Sequence, residues 1–250
     1  MPRPAAAALI DAIGSSDFAA GFFSFWHGIL PIQQCTAWHV AAGVAPLTLV
    51  AERPGEKGMV EGLCRLWALG DYRDDPVIAG AAPGLSVTAV DLAALDNQAY
   101  RSRFFEGAGL GGKLAICKRE AGGAFYVNLY RQIGQPVFSE AEKKLVIAAA
   151  PLALACLAKH AEIWGRSSAP ESAEALFSDL VAFFNNHGAR LSGREADVCA
   201  YAVMGYSTEA TALNLGVSKS SALTYRERAY TKLAATGIAD LFAIYLTGRK

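Results

Sequence analysis

Three residues, Gly216, Val217 and Ser218, are all that separate two segments of helical pattern near the end of this 250-residue chain. So short a link, with a glycine in it, fixes how closely and at what angle two helices must cross. The segments around it are punctuated with equal clarity. Ser192 followed by Glu195 is a capping box that opens a helix, and Gly205 ends it. Ser207 opens a second, short helix ended by Gly216. Ser218 opens a third, which runs to about Ala234. Ala212 and Ala222 stand where the second and third helices must cross, and a larger side chain there would overpack the contact.

A helical wheel of the third segment separates two faces. Ala222, Tyr225, Ala229 and Leu233 point together and read as core. Ser220, Thr224, Glu227 and Thr231 point the other way, with Leu223 and Arg228 on the flank. A polar face on a helix delivered by such a turn suits the major groove of double-stranded DNA. Ser220, Leu223, Thr224 and Glu227 are the expected base-reading residues. Ser207, Thr208, Lys219, Arg226, Arg228 and Lys232 are the expected phosphate contacts, which hold register without reading sequence. The charge supports a local face rather than a coating function. The whole chain has a formal net charge of zero. Residues 191–250 carry seven Lys/Arg and five Asp/Glu, a balance of 7 − 5 = +2, with Lys219, Arg226, Arg228 and Lys232 in one short stretch.

The remainder reads as a second kind of structure. Residues 17–30 form an apolar helix with Asp17 as N-cap, stopped by Pro31. CTAWHVAAG and PLTLVAE are two short strands about a Gly/Pro turn. A helix with Met59, Leu63, Leu66 and Trp67 on one side ends at Gly70. A loop-like stretch containing YRDDP and APG follows, then a short helix from Asn97 to Glu106. KLAICKRE and AFYVNLYRQI, separated by Ala-Gly-Gly, form a hairpin. Ser139 and Glu142 cap a long helix with an apolar stripe of Leu145, Ala149, Leu152, Cys156, His160 and Ile163, interrupted by Pro151. GRSSAPES (165–172) is a linker, and Ala173 to Asn185 a bridging helix. The expected fold class is therefore α+β: a sensor domain over 1–164 with an antiparallel sheet flanked by helices, a linker and bridging helix over 165–190, and an all-α four-helix domain over 191–250.

The C-terminal motifs resemble those of the LuxR/GerE family of regulators. The pieces are Leu191-Ser192-Gly193-Arg194-Glu195, Gly205-Tyr206-Ser207, Leu215-Gly216-Val217-Ser218 and Lys232-Leu233, over about 191–247. The resemblance implies a helix-turn-helix domain whose last helix, with Leu241, Phe242 and Tyr245, dimerises. Thr211, Ser221-Ala222, Leu223 and Glu227 depart from the usual residues, and Leu223 and Glu227 remove positive charge from the groove face. The N-terminal part is similar to the GAF-like sensors of such regulators, through residues 72–77, 100–105, 129–131 and 136–139. Asp75-Pro76 also resembles the acyl-homoserine-lactone-binding branch, but the aromatic expected downstream is replaced by Pro83-Gly84-Leu85.

Trp38, Tyr72 and Asp75, with His39, are candidates to line a small-molecule pocket, Asp75 accepting a hydrogen bond from a ligand donor. The alternative is that the aromatics are core and Asp75 caps the backbone near Pro76. His160 lies on an apolar stripe and reads as a packed histidine. Cys35, Cys64, Cys117, Cys156 and Cys199 are scattered without a CxxC pair, which points to reduced buried thiols and to no metal site. GAGLGG (107–112) lacks the context of a nucleotide loop. Cys35 and His39 would stand about 13 Å apart on a strand, too far for nucleophile and base. The chain reads as no enzyme, with no cofactor and no apolar run near the roughly 20 residues of a membrane span. The expectation is a cytoplasmic, homodimeric, sequence-specific DNA-binding regulator, controlled by a small molecule or, alternatively, independent of ligand and acting through protein–protein contacts.

Overall fold

In the computed structural model, residues 3–41, 44–164 and 173–248 are described. They fall into two compact units, one holding the described residues up to 164 and the other those from 173 onward. The stretch 165–172, expected to be a linker, lies outside the described residues.

The N-terminal unit runs α1 (Arg3–Asp11), α2 (Phe18–His27), β1 (Gln34–Val40), β2 (Leu47–Glu52), α3 (Lys57–Leu69), α4 (Pro76–Ala79), β3 (Gly84–Asp91), α5 (Gln98–Phe104), β4 (Leu110–Glu120), β5 (Gly123–Gln132) and α6 (Glu140–Trp164). The strands form one antiparallel sheet in the order β2-β1-β5-β4-β3. This is the antiparallel sheet flanked by helices expected from sequence. Its register assigns the two faces, because side chains alternate along each strand. Cys35, Leu129, Leu114 and Ala89 form one row across the sheet, and Ala37, Val127, Ile116 and Val87 the next. These rows pack with α2 and α6 into the main apolar core. The opposite face carries Gln34, Tyr130 and Lys113 in one row, Thr36, Asn128 and Ala115 in the next, and Trp38, Tyr126 and Cys117 in a third.

Several expectations shift. The stretch after α4 is not all loop. Gly84–Asp91 is an edge strand whose polar Ser86 and Thr88 blur its alternation. Asp17 precedes α2 but its side chain makes no cap bond. The Ser139–Glu142 capping box is present, with Glu142 N–H donating to Ser139 Oγ at 3.3 Å and Ser139 N–H to Glu142 Oε2 at 2.8 Å. The stripe on α6 is rotated: Val146, Ala149, Ala150, Ala153 and Leu157 are buried, while Leu145 and Ile163 are about half exposed. This helix is apolar nearly all round, so the wheel alone does not choose its inner side. By length and composition it could cross a membrane, but its inner residues belong to the core beneath the sheet. All five cysteines are buried and free.

The second unit comprises α7 (Ala173–Asn186), α8 (Gly193–Val203), α9 (Thr208–Leu215), α10 (Lys219–Leu233) and α11 (Ile238–Thr247). The helix expected as a bridge, α7, buries Leu176, Leu180 and Phe184. It packs Phe177 at a tilt on Tyr201 of α8 at 4.4 Å and Phe183 edge-on against Tyr245 of α11 at 5.3 Å. It is thus part of the helical unit, because its apolar face needs cover that a free bridge would lack.

The β4–β5 hairpin turns on Ala121-Gly122, with Glu120 opposite Gly123. Gly123 has φ +144°, and a Cβ there would stand 2.6 Å from the Val40 carbonyl oxygen. Gly123→Ala should lower the unfolding free energy by more than the ~1 kcal/mol of an unstrained exchange. Gly122→Ala, with open space around it, should be close to neutral. Urea unfolding of the two variants measures the difference, and equal midpoints would contradict this strand register.

Candidate nucleic-acid interface and the N-terminal interior

Three helices of the C-terminal unit, α8, α9 and α10, start where a serine makes them start. Ser192 Oγ accepts from Glu195 N–H while Glu195 Oε2 accepts from Ser192 N–H at 2.7 Å. Ser207 Oγ accepts from Ala210 N–H at 3.1 Å, and Ser218 Oγ from Ser221 N–H at 3.0 Å. Gly216 ends α9 in the left-handed region, with φ +64°, and its N–H and that of Val217 bond back to α9 carbonyls. α10 then begins after the three-residue turn expected from sequence. Ala212 and Ala222 are 5% and 1% exposed, as close helix crossing requires.

The two faces of α10 separate as the wheel indicated. Ala222, Ala229 and Leu233 are buried, and Tyr225 is half-buried. Ser220, Thr224, Glu227 and Thr231 are exposed, and Leu223 is half-buried beside them. Thr224 Oγ1 donates to the Ser220 carbonyl at 3.0 Å and Thr231 Oγ1 to the Glu227 carbonyl at 2.9 Å. Their hydroxyl protons are thereby used on their own helix, leaving oxygen lone pairs and methyl groups outward.

The cations are more committed than the sequence suggested. Lys219 pairs with Glu209. Arg226 donates to Thr208 Oγ1 at 3.0 Å. Lys232 Nζ lies 2.7 Å from Glu195 Oε2 and 3.4 Å from the Arg190 carbonyl. Among the described residues Arg228 is exposed and has no hydrogen bond or ion pair. The Glu195 side chain is only 5% exposed. Burial pushes its carboxyl up, but the Lys232 ammonium and the Ser192 cap bonds outweigh this and hold it below the usual carboxylate range.

A family model described as bacterial regulatory proteins, luxR family, matches residues 189–245. Those residues are a LuxR-family domain. Among curated proteins none matches the chain. Among the solved structures similar to this chain are two of SdiA. Escherichia coli SdiA is 10% identical, with 98% of this chain and 96% of that chain covered and a TM-score of 0.44. SdiA in complex with octanoyl-rac-glycerol is 12% identical, with 98% and 93% covered and a TM-score of 0.41.

One expectation for the LuxR-family domain fails. Leu241, Phe242 and Tyr245 of α11 are 0%, 2% and 0% exposed. They face inward, Tyr245 against Phe183, so they are not available to a second copy. Among the described side chains of α11, those left exposed are Ile238, Ala243 and Thr247.

Of the candidate ligand residues of the N-terminal unit, Trp38, His39 and Asp75 turn out differently, while Tyr72 lines an open cleft. Trp38 is 2% exposed and packs at a tilt on Trp67 at 4.1 Å, and Trp67 stacks on Tyr126 at 5.7 Å. Tyr72 packs on the outer side of Trp67 at 5.9 Å. His39 is in the opposite phase of β1 and meets Phe125 instead. Asp75 is 0% exposed and its two oxygens are saturated by the protein. Oδ1 accepts from Val77 N–H at 3.1 Å and Tyr126 OH at 2.9 Å; Oδ2 accepts from Tyr100 OH at 2.7 Å and Lys113 Nζ at 2.6 Å. Asp75 does cap α4, one of the two alternatives expected from sequence. A side chain lining a void large enough for water would expose surface to it. Asp75, Lys113, Tyr126 and Asn128 expose none, and Trp38, Trp67 and Tyr100 at most 4%. This interior is filled, and Asp75 has no lone pair left for a ligand donor.

Burial raises the Asp75 carboxyl, but the Lys113 charge and the bonds from Lys113, Tyr100 and Tyr126 together hold it below its ordinary value. Sequence reasoning missed Lys113, Tyr100 and Tyr126. The signal was there: Lys113 alternates in phase with Ala115 and Cys117, so a cation had to enter the interior and needed a buried acid.

Lys113→Met should destabilise the N-terminal unit by about 3–5 kcal/mol, because it leaves a buried carboxylate unpaired. Adding Asp75→Asn should restore part of that loss, and a double-mutant cycle in urea would read the coupling; additive losses would show that the pair does not act as one. Glu195 sets a pH dependence in the other unit. A folded-state value below the unfolded ~4.3 gives stability that is present above that pH and is lost as pH falls through the lower folded value. The stability gap between wild type and Glu195→Gln should therefore shrink from pH 7 to pH 3.

Proposed function

We propose that this chain is a transcription regulator that binds double-stranded DNA sequence-specifically, as a homodimer, with α10 in the major groove. The observation that carries the reading is the exposed face of Ser220, Thr224, Glu227 and Thr231 on a helix set by a three-residue turn. Within a LuxR-family domain that face is the one to meet base edges. Arg228, exposed and uncommitted, contacts phosphate; Ser207, Thr208, Lys219, Arg226 and Lys232 border the same surface but must first yield internal bonds. Counter-ion release per bound protomer is correspondingly small, and the loss of affinity with salt shallow. Two protomers read half-sites about 10 bp apart. The protein acts on chromosomal DNA, in the cytoplasm.

For the N-terminal unit, the saturated Asp75 favours a regulator that folds without a small molecule on that carboxylate. Its input reaches the protein elsewhere, by a partner or a different site.

Thr224→Ala and Glu227→Ala should change base preference, costing about 1–3 kcal/mol at the cognate site and little elsewhere. Arg228→Ala should weaken all sequences alike. Operator selection followed by gel-shift titration separates the two patterns. Equal effects of all three across operator variants would overturn the assignment of faces, and binding without preference over competitor DNA would overturn the function.

A further inference from the structure

A cleft of about 530 Å³ opens where the tip of the β4–β5 hairpin meets the turn before α4. Tyr72, Arg73 and Ile78 form one wall, Arg119 and the Gly122-Gly123 backbone the other, and Val40 lies between. Both arginines lack a carboxylate partner among the described residues. The Arg73 guanidinium lies over the Tyr72 ring, 4.8 Å from its centroid, and makes no hydrogen bond among the described residues. Arg119 Nη2 is anchored on the Ile78 carbonyl at 2.9 Å, while its Nε has no partner. Among the described residues, the only carboxylate lining the cleft, Glu120, is 2.8 Å from Lys118. The chain has equal numbers of acids and bases, so two unpaired guanidiniums sharing one concavity are a local excess that sequence composition does not require.

We propose that this cleft is a binding site for a small molecule bearing a phosphate or carboxylate group, held between Arg73 and Arg119. Guanidinium donors match the planar spacing of such oxyanions. The apolar side chains of Val40 and Ile78 and the Tyr72 ring suit an organic remainder, and the volume is that of ordinary ligand sites. The position also gives the site a means of acting. Arg73 is two residues from Asp75, and Arg119 is on the strand that carries Lys113. An anion bridging the two arginines ties, from outside, the same turn and strand that the Asp75–Lys113 pair ties from within. The inference concerns a site separate from the filled interior and does not depend on DNA binding.

Isothermal titration of the full chain at low ionic strength with phenyl phosphate, benzoate and phenol tests it. Saturable 1:1 binding of phenyl phosphate or benzoate is expected, whichever is tighter naming the head group, with phenol at least about tenfold weaker. Arg73→Gln, on an exposed turn, and Arg119→Gln should each weaken the anion about tenfold or more. If Arg119→Gln fails to fold, Arg73→Gln alone decides. Equal affinity for phenol, unchanged affinity in the folded variants, or no saturable heat from either anion overturns the proposal. The titration contains no DNA, so its failure and a failure of the regulator reading are separately visible.

Discussion

The N-terminal unit is organised around one buried charge. Asp75, fully enclosed, draws donors from α4, α5, β4 and β5 to a single carboxylate. A carboxylate taken from water without such company would be prohibitively costly, so the four donors and the fold that delivers them stand or fall together. Lys113 neutralises the charge, and Tyr100 and Tyr126 take up the remaining oxygen lone pairs. Because no apolar contact is directional, this network fixes the lateral position of α4 and α5 on the sheet more sharply than the surrounding Trp38, Trp67 and Phe105 can.

The other face of the sheet shows the opposite regime. Its rows of Cys35, Leu129, Leu114 and Ala89, and of Ala37, Val127, Ile116 and Val87, are apolar and meet α2 and α6 through packing alone. One sheet therefore separates a plain hydrophobic layer from a polar, aromatic one. Asn128, with neither amide atom partnered, lies in the second layer beside the charge network.

How much of this was legible depended on the kind of signal. The second unit was readable almost to the residue, because Ser192, Ser207, Ser218, Gly205 and Gly216 act locally through bonds to nearby backbone groups. Its tertiary commitments were not. Nothing in local spacing says that Lys232 reaches Glu195, 37 residues away, or that α11 turns Leu241, Phe242 and Tyr245 inward, Tyr245 against Phe183 of α7, so that an expected interface is core. The β4–β5 hairpin was legible from its glycines, whereas β3 was not, because an edge strand buries little and alternates weakly. The Asp75 site was half legible. The acid stood out beside Pro76, but its partners lie 25, 38 and 51 residues away in the chain, and only the sheet register brings them together.

The same long-range pairing bears on how the LuxR-family domain can discriminate among sequences. Lys219 and Lys232 are tied to Glu209 and Glu195, and Arg226 to Thr208, so the sequence-independent attraction to phosphate is muted while the outward face of α10 stays polar. On the proposed reading, such a domain would gain less from any duplex and depend more on the right one. Glu227, an exposed acceptor, suits the cytosine N4 amino group and repels phosphate, so a misplaced register is penalised by charge as well as by lost bonds. Thr224, its proton already donated to Ser220, offers a methyl group suited to thymine. On the proposed docking of α10, the two departures that lower positive charge at the groove, Leu223 and Glu227, would leave a larger share of the binding free energy to contacts with the bases than to the backbone of the duplex.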